Sequence, residues 1–597
     1  MLGPGVVYLS SNAFLLSLPA VCTVAAARVL TATLDIAVPT WLVITLSVAS
    51  LPLCTALSIT LRSFKHRREA AALGARLPPI STPGKWPGNL DLLIQMQNHW
   101  KNGYPGDGLL DVLNEVGPVT NLRALWDDTI FTISPEHIKI ILATDFNNYV
   151  KGEKFQYGMS AVLGTGVFNS DGDMWKFHRS MTRPFFSRDR ISHFEIFDRH
   201  ADVFIQLLKT RMSTGYAVDF QDLVGRFTMD SATEFLFGSC VNSLHESLPF
   251  PHNASSVTPA SDSARTQVAI TFSGAFNESM KSITNRVRIG WAWPLVEMWT
   301  DNTVEPMKVV SAYLDPIIHE AIEKKKLADS LRDKLEKADG EAEEGETLLD
   351  ELLNLTSDPK VLKDETLNIL LAGKDTTQWT TTVIVYFLAM YPKVNARLRE
   401  EVLQHVGPSR RCTYDDIRDM KYLRAVINEA MRLFPSVPFN IRQSVNATTW
   451  PSPTPGEKPI YIPANTQLLY SVFMMHRRKE LWGPDAEEFD PDRWLDERLK
   501  STLLNDAFMF LPFNAGPRIC LGQQFAYNEM SFILIRLLQN FSSFTLDAEA
   551  FLPEARPPPE WALCEGRKAW DRFRPKMHLT MYAQDGMWLK MTEAENQ

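Results

Sequence analysis

Residues 513–522 read Phe-Asn-Ala-Gly-Pro-Arg-Ile-Cys-Leu-Gly, which sets Cys520 between Gly516 and Gly522. A thiolate that ligates haem iron needs a loop whose backbone N–H groups can aim at the sulfur, and glycine lets the main chain come that close. The following stretch, Gln523-Gln-Phe-Ala-Tyr-Asn-Glu-Met-Ser-Phe-Ile-Leu-Ile-Arg-Leu-Leu538, has helical apolar spacing. Cys520 is therefore expected just before a helix N-terminus, an end that favours a thiolate. The bland alternative for one cysteine among six is a buried, inert side chain. Against it, Phe513, Gly516, Arg518, Cys520 and Gly522 keep fixed offsets that chance supplies in roughly one in several thousand chains of this length.

This arrangement, FxxGxRxCxG, is the haem-binding signature of the cytochrome P-450 superfamily, and the chain resembles that family here. The resemblance implies that Cys520 is the axial ligand of the iron of haem b. It implies that Phe513 packs beside the sulfur and that Arg518 reaches a haem propionate as a charge-assisted donor. The implied fold is mainly α with small β-sheets, the cytochrome P-450 fold, with haem between a dioxygen-binding helix and the Cys520 loop.

A second cluster, Ile369-Leu-Leu-Ala-Gly-Lys-Asp-Thr-Thr377, lies in a helical pattern running from about 363 to 391. Glycine costs about 1 kcal/mol inside a helix relative to alanine, so Gly373 needs a reason, such as a local opening for a small ligand. Asp375 and Thr376 can divert backbone hydrogen bonds there. The alternative is an ordinary helix with a solvated Asp-Thr-Thr patch. By resemblance this segment lines the distal haem face, where Thr376 holds dioxygen and a water and Asp375 feeds protons inward.

Glu429 and Arg432, at i and i+3, share a helix face and can pair. Such a pair alone carries little information, since exposed pairs are common and weak. Its position gives it value: Phe489-Asp-Pro-Asp-Arg-Trp494 lies between it and Cys520. By resemblance Arg493 completes a buried Glu-Arg-Arg network behind the haem loop. Trp175 and Arg179, at i and i+4, can meet a carboxylate together or simply pack indole under guanidinium stem. The spacing resembles the family's propionate-binding helix, and Arg442, beyond Leu433-Phe-Pro435, matches another propionate-contacting position.

The chain has 597 residues, 45% apolar and 22% charged, with no glycine-serine linker or internal repeat after residue 75. One large catalytic domain is the simplest organisation. The net charge of -9 gives no reason to expect nucleic acid. Before residue 62 only Arg28 and Asp35 carry side-chain charge, and the uncharged stretch 36–61 is long enough to cross a bilayer. The basic cluster 62–68 that follows marks the cytosolic side. Residues 1–27 are apolar but interrupted by Ser, Pro and Gly, which leaves a second span, a re-entrant segment or an uncleaved signal-like region. The expected organisation is a membrane anchor at 1–68, a proline-rich hinge at 69–90 and a haem-thiolate monooxygenase domain at 91–597. The charged run 326–346 reads as a solvated loop.

The resemblance implies a membrane-bound monooxygenase that hydroxylates a hydrophobic substrate with dioxygen. Too few residues follow Cys520 for a flavin domain, so electrons are expected from a separate NADPH–cytochrome P-450 reductase, with cytochrome b5 as a further donor. The expected location is the endoplasmic reticulum membrane, with the catalytic domain facing the cytosol. Gly84-Lys-Trp-Pro-Gly-Asn89, Gly373-Lys-Asp-Thr-Thr377 and Gly566-Arg-Lys-Ala-Trp570 look like fungal members near the alkane and fatty-acid hydroxylases. A terpenoid or other secondary-metabolite oxidase is a rival. So are a haem-thiolate isomerase or dehydratase, which needs no dioxygen relay, and a non-catalytic haem-binding membrane protein.

Overall fold

Two long apolar helices open the chain, α1 (Pro4–Leu34) and α2 (Thr40–Ala72), and they pack against each other as a hairpin. The computed structural model describes residues 2–80, 84–187, 194–254, 264–334, 347–501 and 506–595, with side chains left out at 264–271, 331–334 and 501. The helix that carries most of the expected span 36–61 starts and ends later. Pro39 lacks an N–H to continue a helix upstream and sits at the N-cap, so α2 begins at Thr40. At its other end α2 continues through the basic cluster to Ala72, where the i, i+4 pair of Lys65 and Glu69 supports the added turns. The start of α1 rests on the catalytic unit: the Gly5 and Val6 N–H groups donate to the Glu297 and Met298 carbonyls, each at 3.3 Å.

The segment expected as a hinge is stitched to the domain where it is described. The Arg76 N–H donates to the Pro459 carbonyl at 2.8 Å, Tyr461 N–H to Arg76 O at 2.7 Å, and Asn121 N–H to Pro79 O at 2.8 Å. Residues 81–83 lie outside the described residues.

The catalytic unit is mainly helical. Its site-forming helices are α3 (Leu90–Asn102), α4 (Glu153–Leu163), α5 (Gly172–Thr182), α6 (Phe220–Phe237), α7 (Ala264–Ile289), α8 (Val304–Lys334), α9 (Pro359–Met390), α10 (Lys421–Leu433) and α11 (Gln523–Asn540). The charged run expected as a loop divides: residues 326–334 finish α8, held by i, i+3 and i, i+4 pairs such as Lys326 with Glu323, and 335–346 lie outside the described residues. Helix α9 is the spine. Asp358 caps it by accepting from the Lys360 N–H at 2.8 Å, Pro359 supplies a preset first turn, and its apolar residues from Leu362 to Leu388 are buried almost all round. It packs against α6, α10 and α11.

Small sheets frame this helical body. Strands β1 (Val119–Asn121), β2 (Thr129–Thr132), β3 (Tyr149–Val150), β5 (Phe439–Ser444) and β8 (Gln467–Ser471) form one sheet in the order β1-β2-β8-β5-β3, with only β2 and β8 parallel. Strands β4 (Val218–Asp219), β12 (Trp588–Glu593) and β9 (Phe541–Leu546) form another; β6 (Thr448–Trp450) pairs with β7 (Ile460–Ile462), and β10 (Pro575–Met577) with β11 (Met581–Ala583). Two apolar cores result, one around Phe131, Phe227, Val383 and Leu534, the other around Phe155, Phe272, Ile318 and Leu370. Residues of both line one large cavity.

Candidate active site

The loop before α11 presents Cys520 to that cavity. Although it lies deep in the protein, its surface is exposed on the cavity wall. The loop is closed by the Cys520 N–H donating to the Phe513 carbonyl at 3.0 Å, and the Phe513 ring packs 5.3 Å from that of Tyr527. Burial pushes the Cys520 thiol up, while the Gly522 N–H and the Arg179 charge pull it back toward the thiolate. The two glycines differ. Gly516 has φ +68°, and a Cβ there would lie 1.8 Å from the Leu142 carbonyl oxygen. Gly522 has φ −83°, and a Cβ there would meet only Phe186, at 3.7 Å.

One corner of the cavity is strongly cationic. Arg442 on β5 is buried, its Nη1 donating to the Ile441 carbonyl at 2.8 Å, and its Nε–H has no acceptor. Arg518 donates to the Ser170 carbonyl at 2.9 Å and Asp171 at 2.6 Å, and it lies 4.6 Å from the Trp175 ring centroid, again with a buried, unpaired Nε–H. Burial, and then Arg442, push Arg518 down to about 10. Lys151 completes the corner; burial, then Arg442 and Arg518, hold it well below the ordinary lysine value. Arg179 donates to the Ile519 carbonyl at 3.0 Å, beside the cysteine, and so braces the loop. Three cations against the single carboxylate of Asp171, with two guanidinium N–H groups lacking acceptors, fit a group that brings its own carboxylates. The propionates of a haem lying on Cys520 meet that requirement.

Helix α9 forms the wall on which Thr376, Thr377 and Thr380 line the cavity. It runs unbroken through Gly373, so the local opening expected there is absent. The nearest atom to a Cβ at Gly373 would be Ala232 at 3.9 Å, so the glycine leaves room beside the helix. The Thr376 hydroxyl donates to the Ala372 carbonyl at 2.6 Å, and the Ser436 hydroxyl donates to the Thr376 carbonyl at 2.9 Å while lying 2.7 Å from that of Thr380. Asp375 takes another direction, toward Lys374 Nζ at 2.7 Å, and is not among the cavity-lining residues. Thr376 and Asp375 are thus not brought together at the cavity.

The decisive comparison is with protein families: residues 85–563 match the cytochrome P450 family model, most of the catalytic unit. The chain belongs to the cytochrome P450 family. Its relatives include cytochrome P450 52-E3 of Starmerella bombicola, 35% identical over 495 residues that cover 80% of this chain and 88% of the relative. Cytochrome P450 52E1 of Candida apicola is 38% identical over 69% of this chain and 75% of its own, and cytochrome P450 52A3-A of Candida maltosa 35% identical over 71% and 77%. This P450 is a haem-thiolate monooxygenase that resembles fungal members of the alkane and fatty-acid hydroxylase type.

Behind the cysteine loop, the P450 buries an ion network. Glu429 accepts from Arg432 Nε and Nη2 at 2.8 Å each, from Trp494 Nε1 at 3.1 Å and from the Asp490 N–H at 3.0 Å. Arg493 approaches Glu429 at 3.5 Å but donates to Asp485 at 2.8 Å. Arg432 reaches the His476 carbonyl at 2.8 Å, and His476 Nε2 accepts the Leu511 N–H at 3.0 Å, two residues before Phe513. Burial holds His476 down to about 3, so it is neutral and free to accept. Lys151, Asp171, Asp485 and His476 escaped the sequence reading. Each is a lone residue without a spacing pattern of its own, although Asp171 lies four residues before Trp175 and Asp485 eight before Arg493.

Proposed function

We propose that this P450 hydroxylates long aliphatic chains, alkanes or fatty acids, using haem b and electrons from NADPH–cytochrome P-450 reductase, with cytochrome b5 as a further donor, at the cytosolic face of the endoplasmic reticulum. The observation that carries this reading is the cavity of about 630 Å³, whose lining among the described residues includes no aspartate or glutamate. Besides Cys520 and Thr376 its wall includes Leu92, Met96, Phe155, Phe168 and Leu371, so that hydrocarbon suits most of it.

When bound, haem supplies activation of dioxygen at its iron, one oxygen atom entering a C–H bond and the other leaving as water with two electrons and two protons. Cys520 would hold the iron through its sulfur. Lys151, Arg442, Arg518 and Trp175 would hold the propionates and so set the tilt of the ring against the cavity. Arg179 fixes the Ile519 carbonyl and keeps the sulfur in place. The Thr380 and Ser436 hydroxyls, 2.7 Å apart, both donate to the Thr376 carbonyl and brace the helix there, while the Thr376 hydroxyl donates to the Ala372 carbonyl and offers its lone pairs to a water or a proton donor on an otherwise apolar wall. Asp375 pairs with Lys374 away from that wall.

In the membrane, α1 and α2 cross as a hairpin, because the α1 N-terminus bonds to residues 297 and 298 of the catalytic unit and so lies on its side. An N-terminal epitope on intact microsomes is then open to protease; protection of that epitope contradicts the hairpin.

A haem spin-shift titration with alkanes, fatty acids and terpenoids tests the substrate reading. Linear chains are expected to bind; a shift with terpenoids and none with any linear chain would overturn it.

A further inference from the structure

A second cationic feature of the cavity lies away from the propionate corner. Arg288, in the last turn of α7, lines the cavity. Its guanidinium carbon lies 4.9 Å from the Trp100 ring centroid on α3, and its Nη2 donates to the Met577 carbonyl on β10 at 2.9 Å. Burial lowers its proton affinity, and the Tyr582 hydroxyl and His578 are its electrostatic neighbours. Among the described residues no carboxylate pairs with it, unlike its neighbour Arg286, which is paired with Glu297 and Asp301. Arg123, also on the wall, shows the contrast: it is paired with Asp128 at 2.6 Å.

A guanidinium has five N–H donors in a planar fork matched to a carboxylate, and one of them is spent here on Met577. A desolvated cation with no counter-charge is costly unless a ligand brings an anion. Around this guanidinium, Lys281 and Lys374 add positive charge near His578, and Asp375, which also acts on His578, is paired with Lys374. His578, stacked 4.2 Å from Tyr582, is held down to about 4 by burial and is neutral at pH 7. Trp100 covers a face of Arg288, while the wall leading from it through Val287, Leu371 and Leu579 is apolar. A site with one unpaired guanidinium joined to a long apolar wall has the chemistry of a single-chain amphiphile with an anionic head.

We propose that Arg288 anchors the carboxylate of a long-chain fatty acid, which lays its hydrocarbon along the cavity and turns its methyl end, rather than its head, toward Cys520 and Thr376. This rests on the linear-chain reading above and narrows it. The acid is preferred over the ester or the alkane of equal length, and oxygen enters near the chain terminus.

The test uses full-length, haem-loaded protein in lipid nanodiscs, titrated by spin shift with hexadecanoic acid, its methyl ester and hexadecane. The acid is expected to bind about tenfold to a hundredfold more tightly than the ester, the range for a hydrogen-bonded ion pair in a desolvated site. Arg288→Gln, which can still donate to Met577, erases that gap by weakening the acid alone, and Arg288→Lys restores part of it. If the Gln variant keeps the acid-to-ester ratio, or weakens ester and acid equally, Arg288 only braces β10 and the proposal falls while the linear-chain reading stands. If none of the three ligands shifts the spectrum of the wild type, the linear-chain reading fails and takes the anchor with it.

Discussion

Arg432 gives two parallel hydrogen bonds of 2.8 Å to Glu429, and both side chains are fully buried. From there the bonds lead through the His476 carbonyl and ring to the Leu511 N–H, at the entry to the cysteine loop. Arg432→Ala leaves a buried carboxylate without its partner and is expected to cost roughly 3–5 kcal/mol. Denaturant unfolding together with haem retained per chain measures this. A variant that unfolds like wild type and keeps its haem would show that the network does not hold the loop.

Gly516 and Gly522 are equal members of one motif but unequal in space. At φ +68° and 1.8 Å from the Leu142 carbonyl, Gly516→Ala cannot fit without moving the loop and is expected to abolish haem incorporation. Gly522→Ala meets only Phe186 at 3.7 Å and is expected to load haem normally, with a stability change within about 1 kcal/mol. Haem content of the two purified variants decides it; equal loss in both contradicts the geometry.

That contrast marks how far the sequence could be read. The cysteine loop, the Glu429–Arg432 pair and the α9 spine were legible because short, regular spacings encode them. Asp375 differs: its absence from the wall follows from its ion pair with Lys374, which spacing along the helix does not encode. The extent of α2 was also within reach, since Pro39 and the helix-favouring run 62–72 set its ends. Lys151, Asp171, His476 and Arg288 were not, because each reaches its site from a separate segment and only the tertiary fold brings them in.

Thr376 lines the cavity and Asp375 is tied to Lys374. Thr376→Ala is expected to uncouple NADPH oxidation from product by about tenfold, a modest share of what proton-transfer groups contribute. Product formed per NADPH consumed reports it. Unchanged coupling would remove Thr376 from proton handling.

Glu529 on α11 is buried, and burial pushes it to about 8 from about 4.5. The folded state therefore binds one more proton than the unfolded chain between those values. Stability falls as pH rises through that window, by up to about 1.4 kcal/mol per pH unit. Glu529→Gln removes this loss, so the variant gains on wild type from pH 5 to pH 8. Denaturant midpoints measured across that range check the sign; parallel profiles contradict it.

Everything rests on the sulfur of Cys520 being the iron ligand. The reduced carbon monoxide complex of the wild type is expected to show thiolate-type absorption, and the same spectrum of Cys520→Ala is expected to lack it entirely. Persistence of that absorption in the variant would place the iron on another residue and undo the mechanism derived from the loop.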